Sequence, residues 1–193
     1  YLTAGNGAEQ TPKISMGDDD NRTGVYRFSF QVNNLSDREQ VYTLDGVALT
    51  DQVNLDYPGY TFMGETSRAL GASVVFSAEN GQLPKLYDVN GDGAVDMTDV
   101  QVLLDGVNGL EKLSETVRQD FDLNGDGILD TADVQILFEK VSAGFTALDV
   151  VKVPANGTAT VHVTVTLTDA DKAYMDEYYE NGIYVDGFVR LYA

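Results

Sequence analysis

The sequence contains no cysteine and only one histidine, and each shortage excludes a class of chemistry. Without cysteine there is neither a disulfide framework nor a thiol site, although this does not fix the compartment. A serine-protease site needs a base beside its nucleophile, and zinc sites combine several His and Cys ligands. The single His162 lies on the polar side of an alternating segment, where we interpret it as a solvated strand residue. The sequence therefore predicts a non-catalytic protein.

Basic residues are the second shortage. The chain has 12 Lys and Arg against 31 Asp and Glu, which gives a formal net charge of -19. Such a chain is a poor partner for nucleic acid and for anionic membranes, whereas cations are natural ligands. No apolar run approaches the roughly 20 residues that a membrane-spanning helix needs. We therefore expect no nucleic acid and no membrane as partners.

Much of the acidic charge is concentrated in two matching segments, "YDVNGDGAVDMTD" at 87–99 and "FDLNGDGILDTAD" at 121–133. Crowded carboxylates repel one another unless a cation lies between them. A 12-residue calcium loop supplies oxygens from positions 1, 3, 5, 7, 9 and 12 and needs glycine at position 6, here Gly93 and Gly127. The predicted ligands are Asp88, Asn90, Asp92, Ala94 (backbone carbonyl), Asp96 and Asp99 in the first loop, and Asp122, Asn124, Asp126, Ile128 (backbone carbonyl), Asp130 and Asp133 in the second. Two full matches favour two Ca²⁺ ions over acidic turns that bind nothing.

Each loop leads into a predicted helix. The segment "DVQVLL" at 99–104 parallels "DVQILF" at 133–138, and the apolar residues in both recur at helical spacing. Between the two repeats, residues 113–121 predict a short third helix that Ser114 caps.

Paired loops of this kind, with Asp at position 12 and one helix after each, resemble a type I dockerin over residues 84–143. The resemblance implies a calcium-dependent module that binds a cohesin domain of a scaffoldin or cell-surface protein, as in a cellulosome. It also implies that loop positions 10 and 11 and part of each helix face the cohesin. Those residues are Met97, Thr98, Leu104, Asp105, Thr131, Ala132, Phe138 and Glu139. For Leu104 and Phe138, packing in the core is an equally open interpretation.

The flanking segments predict strands. Apolar and polar residues alternate at 25–33 and 158–167, and further strands are predicted at 41–49, 71–78, 146–153 and 183–192. Neither flank alone has enough strands to close a sandwich. We therefore predict a mainly β protein in which residues 1–83 and 144–193 form one discontinuous β-sandwich and residues 84–143 form an inserted all-α dockerin.

The flanks also resemble a known family, through "FQVNNLSDREQVYTL" (30–44), "VPANGTATVHVTVTL" (153–167) and "DEYYENGIYVDGFVRLYA" (176–193). They are similar to the fibronectin type III-like domain of cell-envelope subtilisin-like serine peptidases, the lactocepin and C5a-peptidase group. The resemblance implies a non-catalytic piece of a secreted or cell-surface bacterial peptidase, which the dockerin attaches to a cohesin. The abrupt start at Tyr1, without a visible signal peptide, fits this expectation of a fragment.

Other interpretations stay open at this point. The calcium module could be a structural insert that braces the sandwich or contacts the parent protease domain. Sugar binding by "YPGYTF" (57–62) is weighed against packing, and an extra cation site at "GDDDN" (17–21) against a solvated acidic turn. Residues 168–182 predict a helix with a capping box from Thr168 to Asp171 and a stop at Gly182.

Overall fold

The middle of the chain forms a compact unit of its own. The structure is a computed structural model that describes residues 2–4, 13–54, 62–179 and 182–193. It contains two compact units, Tyr1–Leu83 together with Val151–Ala193, and Pro84–Val150. We call the first the β unit and the second the α unit.

The strands within the described residues are β1 (Leu2–Ala4), β2 (Val25–Asn33), β3 (Gln40–Asn54), β4 (Phe62–Ala69), β5 (Ser73–Ala78), β6 (Gly81–Gln82), β7 (Asp149–Val153), β8 (Thr158–Thr166) and β9 (Val185–Tyr192). The helices are α1 (Met97–Val107), α2 (Glu115–Asp120), α3 (Thr131–Ser142) and α4 (Asp169–Tyr178). The protein is mainly β, as the sequence predicts. No helix in the described ranges has the length and apolar character to cross a membrane.

One sheet of the β unit is built on the two clearly alternating segments. Its order is β1-β2-β8-β5-β6, and β2 pairs antiparallel with β8 so that Phe30 lies opposite Val161 and Phe28 opposite Val163. This register places the apolar residues of both strands on one face, where Phe30, Val161 and Val163 are buried. The predicted strands at 25–33 and 158–167 are confirmed.

The second sheet centres on β3, which neighbours β4, β7 and β9. β3 extends past the predicted 41–49 because pairing with β9 continues to Thr50. Pairing with β4 then continues to Asn54, across a register shift between Asp51 and Val53. β4 was not predicted, since its mostly polar sequence lacks apolar alternation. One apolar cluster takes buried residues from both sheets. These are Phe30, Val32, Leu44, Phe76, Leu83, Val151, Val153, Val161 and Val163.

Helix α4 is hydrogen-bonded to the irregular part of β3. The Tyr174 hydroxyl accepts a hydrogen bond from the Val53 N–H at 2.8 Å and donates one to the Asp51 carbonyl at 3.1 Å. The Arg68 guanidinium lies 4.3 Å from the centre of the Tyr174 ring. The predicted capping box at the start of α4 is present, but the helix ends at Tyr178, before Gly182. The tyrosines therefore anchor the helix to the sheet.

Asp171 of that capping box gives the β unit a pH dependence. Burial raises the pKa of this carboxyl, but hydrogen bonds from the Thr168 hydroxyl and from the Gly71 and Thr168 N–H groups, with the Arg68 charge, hold it below 3.8 overall. A lowered pKa contributes stability above the unfolded value, and this is lost as the pH falls through the folded value. We expect Asp171→Asn to destabilise the β unit at pH 7 by about 1 kcal/mol. Urea unfolding should show this difference shrinking below pH 3.8, and a constant difference would contradict the expectation.

Two further segments singled out in the sequence are the acidic turn at 17–21 and the aromatic segment at 57–62. In the acidic turn at 17–21, the Asp19 carboxylate accepts hydrogen bonds from the Gly24 N–H at 2.7 Å and the Thr23 N–H at 3.0 Å. These bonds lower its pKa, and Asp18 and Asp20 are exposed to solvent. Of the segment 57–62, for which sugar binding was weighed against packing, residues 57–61 lie outside the described residues.

The α unit has its own core. Val100 and Leu103 of α1 and Val134 and Leu137 of α3 are buried with Val89 and Phe121. Ser114 caps α2 by accepting a hydrogen bond from the Val117 N–H at 3.1 Å, as predicted. The helical spacing in the two repeats therefore predicts these four buried residues, whereas Phe138, which has the same spacing, is exposed.

The two ends of the α unit are held together by a clasp, which we define as residues 84–87 with residues 145–150. The Val150 N–H donates to the Pro84 carbonyl, and the Leu86 N–H donates to the Leu148 carbonyl, both at 2.8 Å. The Lys85 ammonium lies 2.7 Å from the Asp149 carboxylate, and both side chains are largely shielded from solvent. The rings of Tyr87 and Phe145 meet edge to face at 5.0 Å. The clasp thus brings the chain's entry and exit points side by side.

Candidate metal centres and partner face

Each acidic loop begins with an aspartate that gathers the backbone around it. Asp88 Oδ1 accepts from the Gly91 N–H at 2.7 Å, and its Oδ2 accepts from the Gly93 N–H at 2.8 Å. Asp122 makes the equivalent contacts in the second loop at 2.9 and 2.8 Å. These bonds wind the loop tightly about its first carboxylate.

In the next turns of the first loop, side-chain oxygens again accept hydrogen bonds from backbone N–H groups. Asn90 Oδ1 accepts from the Asp92 N–H, and Asp92 Oδ1 accepts from the Ala94 N–H, both at 2.8 Å. Gly93 at position 6 has φ +89°, and a Cβ there would meet no atom within 4 Å. The requirement for glycine at this position is therefore conformational rather than steric. Asn124, Asp126 and Gly127 repeat the pattern in the second loop.

The aspartate at position 12 is the most buried group of each loop. Asp99 has no exposed surface, and neither does Asp133. Asp99 Oδ1 accepts from the Val89 and Asn90 N–H groups at 2.8 and 3.2 Å, while its Oδ2 accepts from the Asp96 N–H at 2.8 Å. Asp133 makes the same three contacts in the second loop. This carboxylate therefore ties the start of the loop to the first turn of the following helix.

Asp96 and Asp130, at position 9, have a second role that the ligand pattern does not reveal. Each is the N-cap of its helix and accepts a hydrogen bond at 2.7 Å, from the Thr98 N–H and the Ala132 N–H respectively. Together with position 12 they form a capping box. The signal in the sequence is the Asp-x-x-Asp spacing before each apolar run.

The donor chemistry of both loops fits a calcium ion. The predicted donors are all oxygens, from carboxylates, an amide and a backbone carbonyl, which is the set that Ca²⁺ prefers. In the described part of the chain, no three His, Cys, Asp or Glu side chains gather into a metal cluster. The loop carboxylates accept N–H groups of their own loop, which holds their oxygens in place.

The predicted cohesin-facing residues fall into two groups. Met97, Thr98, Thr131 and Ala132 are exposed at the starts of α1 and α3. Further along the helices the two repeats differ. Leu104 is half-buried and packs against the core, whereas Phe138 keeps 41% of its surface exposed. Asp105 accepts a hydrogen bond from Gln101 at 2.8 Å, and Glu139 accepts one from Gln135 at 2.9 Å.

A known family model matches the sequence of the α unit. Residues 86–142 match the family model of the dockerin type I domain, and the match covers both loops and all three helices of that unit. No curated protein matches the chain. The matched domain is in general a calcium-binding module that binds cohesin domains. Residues 86–142 of this chain are therefore similar to a dockerin type I domain.

Proposed function

We propose that the α unit binds two Ca²⁺ ions and attaches the chain to a cohesin domain on a scaffoldin or cell surface. The observation that carries this proposal is the repeated hydrogen-bond pattern, in which two loops of different sequence hold the same donor positions in the same way. An acidic turn without a ligand has no need for such a repeat. The dockerin match over residues 86–142 supports the same conclusion.

The ions would be held by the six oxygen donors of each loop that are named above, from Asp88 to Asp99 and from Asp122 to Asp133. When bound, Ca²⁺ supplies the positive charge that the crowded carboxylates lack. The protein's part is to fix the loop, with Gly93 and Gly127 at the sharp turn and Asp99 and Asp133 closing it. Binding to the folded state alone stabilises it by about 4 kcal/mol at a thousandfold excess of calcium over Kd.

The cohesin would contact the exposed starts of α1 and α3, where Met97, Thr98, Thr131 and Ala132 lie. Phe138 extends this surface on α3, because its ring is exposed rather than packed in the core. Leu104, its counterpart on α1, is partly committed to the core. The two repeats therefore offer a partner different surfaces.

For the β unit we propose a fibronectin III-like sandwich that belongs to a secreted or cell-surface bacterial subtilisin-like peptidase. Residues 1–83 and 144–193 would form the sandwich, and residues 84–143 the inserted module. The apolar cluster shared by the two sheets supports the sandwich. The quoted resemblance of the flanks supports the peptidase parent. The domain would be non-catalytic and would position substrates or partners beside the protease.

Binding to a panel of cohesins tests the proposal. The chain should be captured in calcium and released by EDTA. The double substitution Met97→Asp and Thr131→Asp should weaken capture at least about tenfold, since it places charge at the proposed contact surface. Asp18→Ala with Asp20→Ala is the matched control, because both carboxylates lie in an exposed turn of the β unit. Capture that persists unchanged in EDTA would contradict the proposal.

The competing function is a structural insert that braces the β unit or contacts the parent protease domain. The acidic helix positions favour it, since Asp105 and Glu139 already accept hydrogen bonds within their own helices. A cohesin panel without any capture, together with a melting temperature that calcium still raises, would favour this alternative. The next experiment would then be binding to the parent protease domain.

A further inference from the structure

In the part of the chain that the structure describes, the strand β9 lies at the edge of its sheet. It pairs with β3 from Val185 opposite Thr50 to Tyr192 opposite Thr43. Among the strands of the described residues it has no second neighbour. An edge strand presents alternate N–H and C=O groups that can pair with another strand. The open edge of β9 is therefore a surface on which an extended chain can add.

The outer face of β9 has an unusual order of side chains. Because alternate residues of a strand share a face, four exposed side chains of β9 lie in one row, and Tyr184, directly before the strand, continues the same spacing. In sequence they are Tyr184, Asp186, Phe188, Arg190 and Tyr192. The aromatic members keep 79%, 62% and 49% of their surface exposed. The row reads aromatic, acidic, aromatic, basic, aromatic, and it is symmetric about Phe188 except for the sign of the charge.

We propose that β9 pairs antiparallel with β9 of a second copy of this chain, with Phe188 at the two-fold axis. In this register Asp186 lies opposite Arg190 of the other copy, and Arg190 lies opposite its Asp186. Tyr184 lies opposite Tyr192, and Phe188 lies opposite its own counterpart. Opposite-charge and aromatic cross-strand pairs both stabilise antiparallel sheets. Every pair on this face is thus favourable.

Other arrangements of the same two strands lose these pairs. A parallel in-register pair would place each Asp186 beside Asp186 and each Arg190 beside Arg190. A shift of the antiparallel register by two residues would place Asp186 opposite Tyr192 and Phe188 opposite Arg190, so that both ion pairs disappear. Like charges directly opposite one another are destabilising. The charges therefore select the antiparallel register centred on Phe188.

The neighbouring strand β3 extends the favourable rows. Arg190 is already paired with Asp45, which lies opposite it on β3. A guanidinium has five N–H donors and can therefore serve a carboxylate on each side. Val47 lies opposite Phe188, so the central row would be apolar across four strands. The second copy thus continues contacts that β3 and β9 already make.

The pairing buries little surface, and each copy carries a net charge of -19. Two such chains repel one another at long range. We therefore expect a monomer–dimer equilibrium that depends on concentration rather than an obligate dimer. All the residues that carry the inference belong to the β unit, so it is independent of the dockerin proposal.

Sedimentation velocity of the whole 193-residue chain over a concentration series tests the pairing. The wild type should shift toward the dimer as concentration rises. Asp186→Arg and Arg190→Asp should each weaken self-association at least about tenfold, because each places like charges opposite one another. An equimolar mixture of these two variants should restore association, since their β9 strands are complementary. Glu79→Arg, an exposed change of the same charge in the β unit, is the matched control.

The mixture also separates pairing from misfolding, because a variant that fails to fold cannot be rescued by its partner. A wild type that stays monomeric at the highest concentration would overturn the proposal. So would a mixture that stays monomeric, or a Glu79→Arg variant that loses as much association as Asp186→Arg.

Discussion

Replacing both Asp99 and Asp133 with alanine is expected to abolish the rise in melting temperature that calcium gives the α unit. Each carboxylate is fully buried and accepts three backbone N–H groups that join the start of its loop to the following helix. Buried donors left without a partner cost about 1–3 kcal/mol each. A unit of this size has only several kcal/mol of total stability. The double variant should therefore lose the loops, the helix starts and the proposed ion ligands together.

Thermal unfolding by circular dichroism, in calcium and in EDTA, measures this effect. The matched control is Asp105→Ala with Glu139→Ala, which removes the same charge from the same two helices and leaves the loops intact. The control should keep most of the calcium-dependent shift. If the Asp99 and Asp133 double variant also keeps it, the ligand assignment is wrong.

Replacing Asn34 with aspartate is expected to destabilise the β unit by about 3 kcal/mol or more at pH 7, since it places a buried carboxylate oxygen against carbonyl oxygens that now accept from the amide. Asn34 is 5% exposed, and its side-chain amide donates to the carbonyls of Arg38, Val153 and Pro154 at 2.6, 3.1 and 3.0 Å. These bonds connect the turn after β2 with the end of β7. An ionised aspartate would turn one oxygen toward these three carbonyl oxygens, while its other oxygen would still accept from Ser36.

Urea unfolding of Asn34→Asp and Ser36→Ala compares the contribution of the Asn34 amide N–H groups with that of its amide oxygen. Ser36 donates to Asn34 Oδ1 from its N–H and its hydroxyl, so its alanine variant loses one of two donors and should cost only about 1 kcal/mol. Protonation at acidic pH would return one donor to the aspartate, and the difference from wild type should then narrow. An Asn34→Asp variant as stable as Ser36→Ala would show that the three carbonyls do not need the amide.

The repeated loops show why much of the α unit could be predicted from the sequence. Residue type and spacing there are set by local chemistry, because glycine must take positive φ and each aspartate bonds to N–H groups within its own loop. The burial of Asp99 was not predictable in the same way. The ligand pattern assigns it only an outward role toward the ion, whereas the structure shows that it also ties two ends of the loop together.

The β unit shows the opposite balance. The alternation at 25–33 predicts β2 because one face is buried and the other is solvated. β4 carries no such pattern, and it forms through pairing with β3, which is a long-range contact. The Tyr174 hydroxyl reaches Asp51 and Val53 for the same reason, across a separation that no local pattern records. Features that depend on which strands become neighbours therefore appear only in the fold.

The clasp at the ends of the α unit bears on how the whole chain melts. The Val150 N–H donates to the Pro84 carbonyl at 2.8 Å, which closes the loop between these two residues. The entropic cost of closing this loop is the same whether or not the residues within it are folded. Loop-closure entropy grows slowly, by only about 0.6 kcal/mol for each doubling of length. Unfolding of the α unit should therefore reduce the stability of the β unit only slightly. Two separate unfolding transitions, of which calcium moves only one, are the natural outcome of this connection.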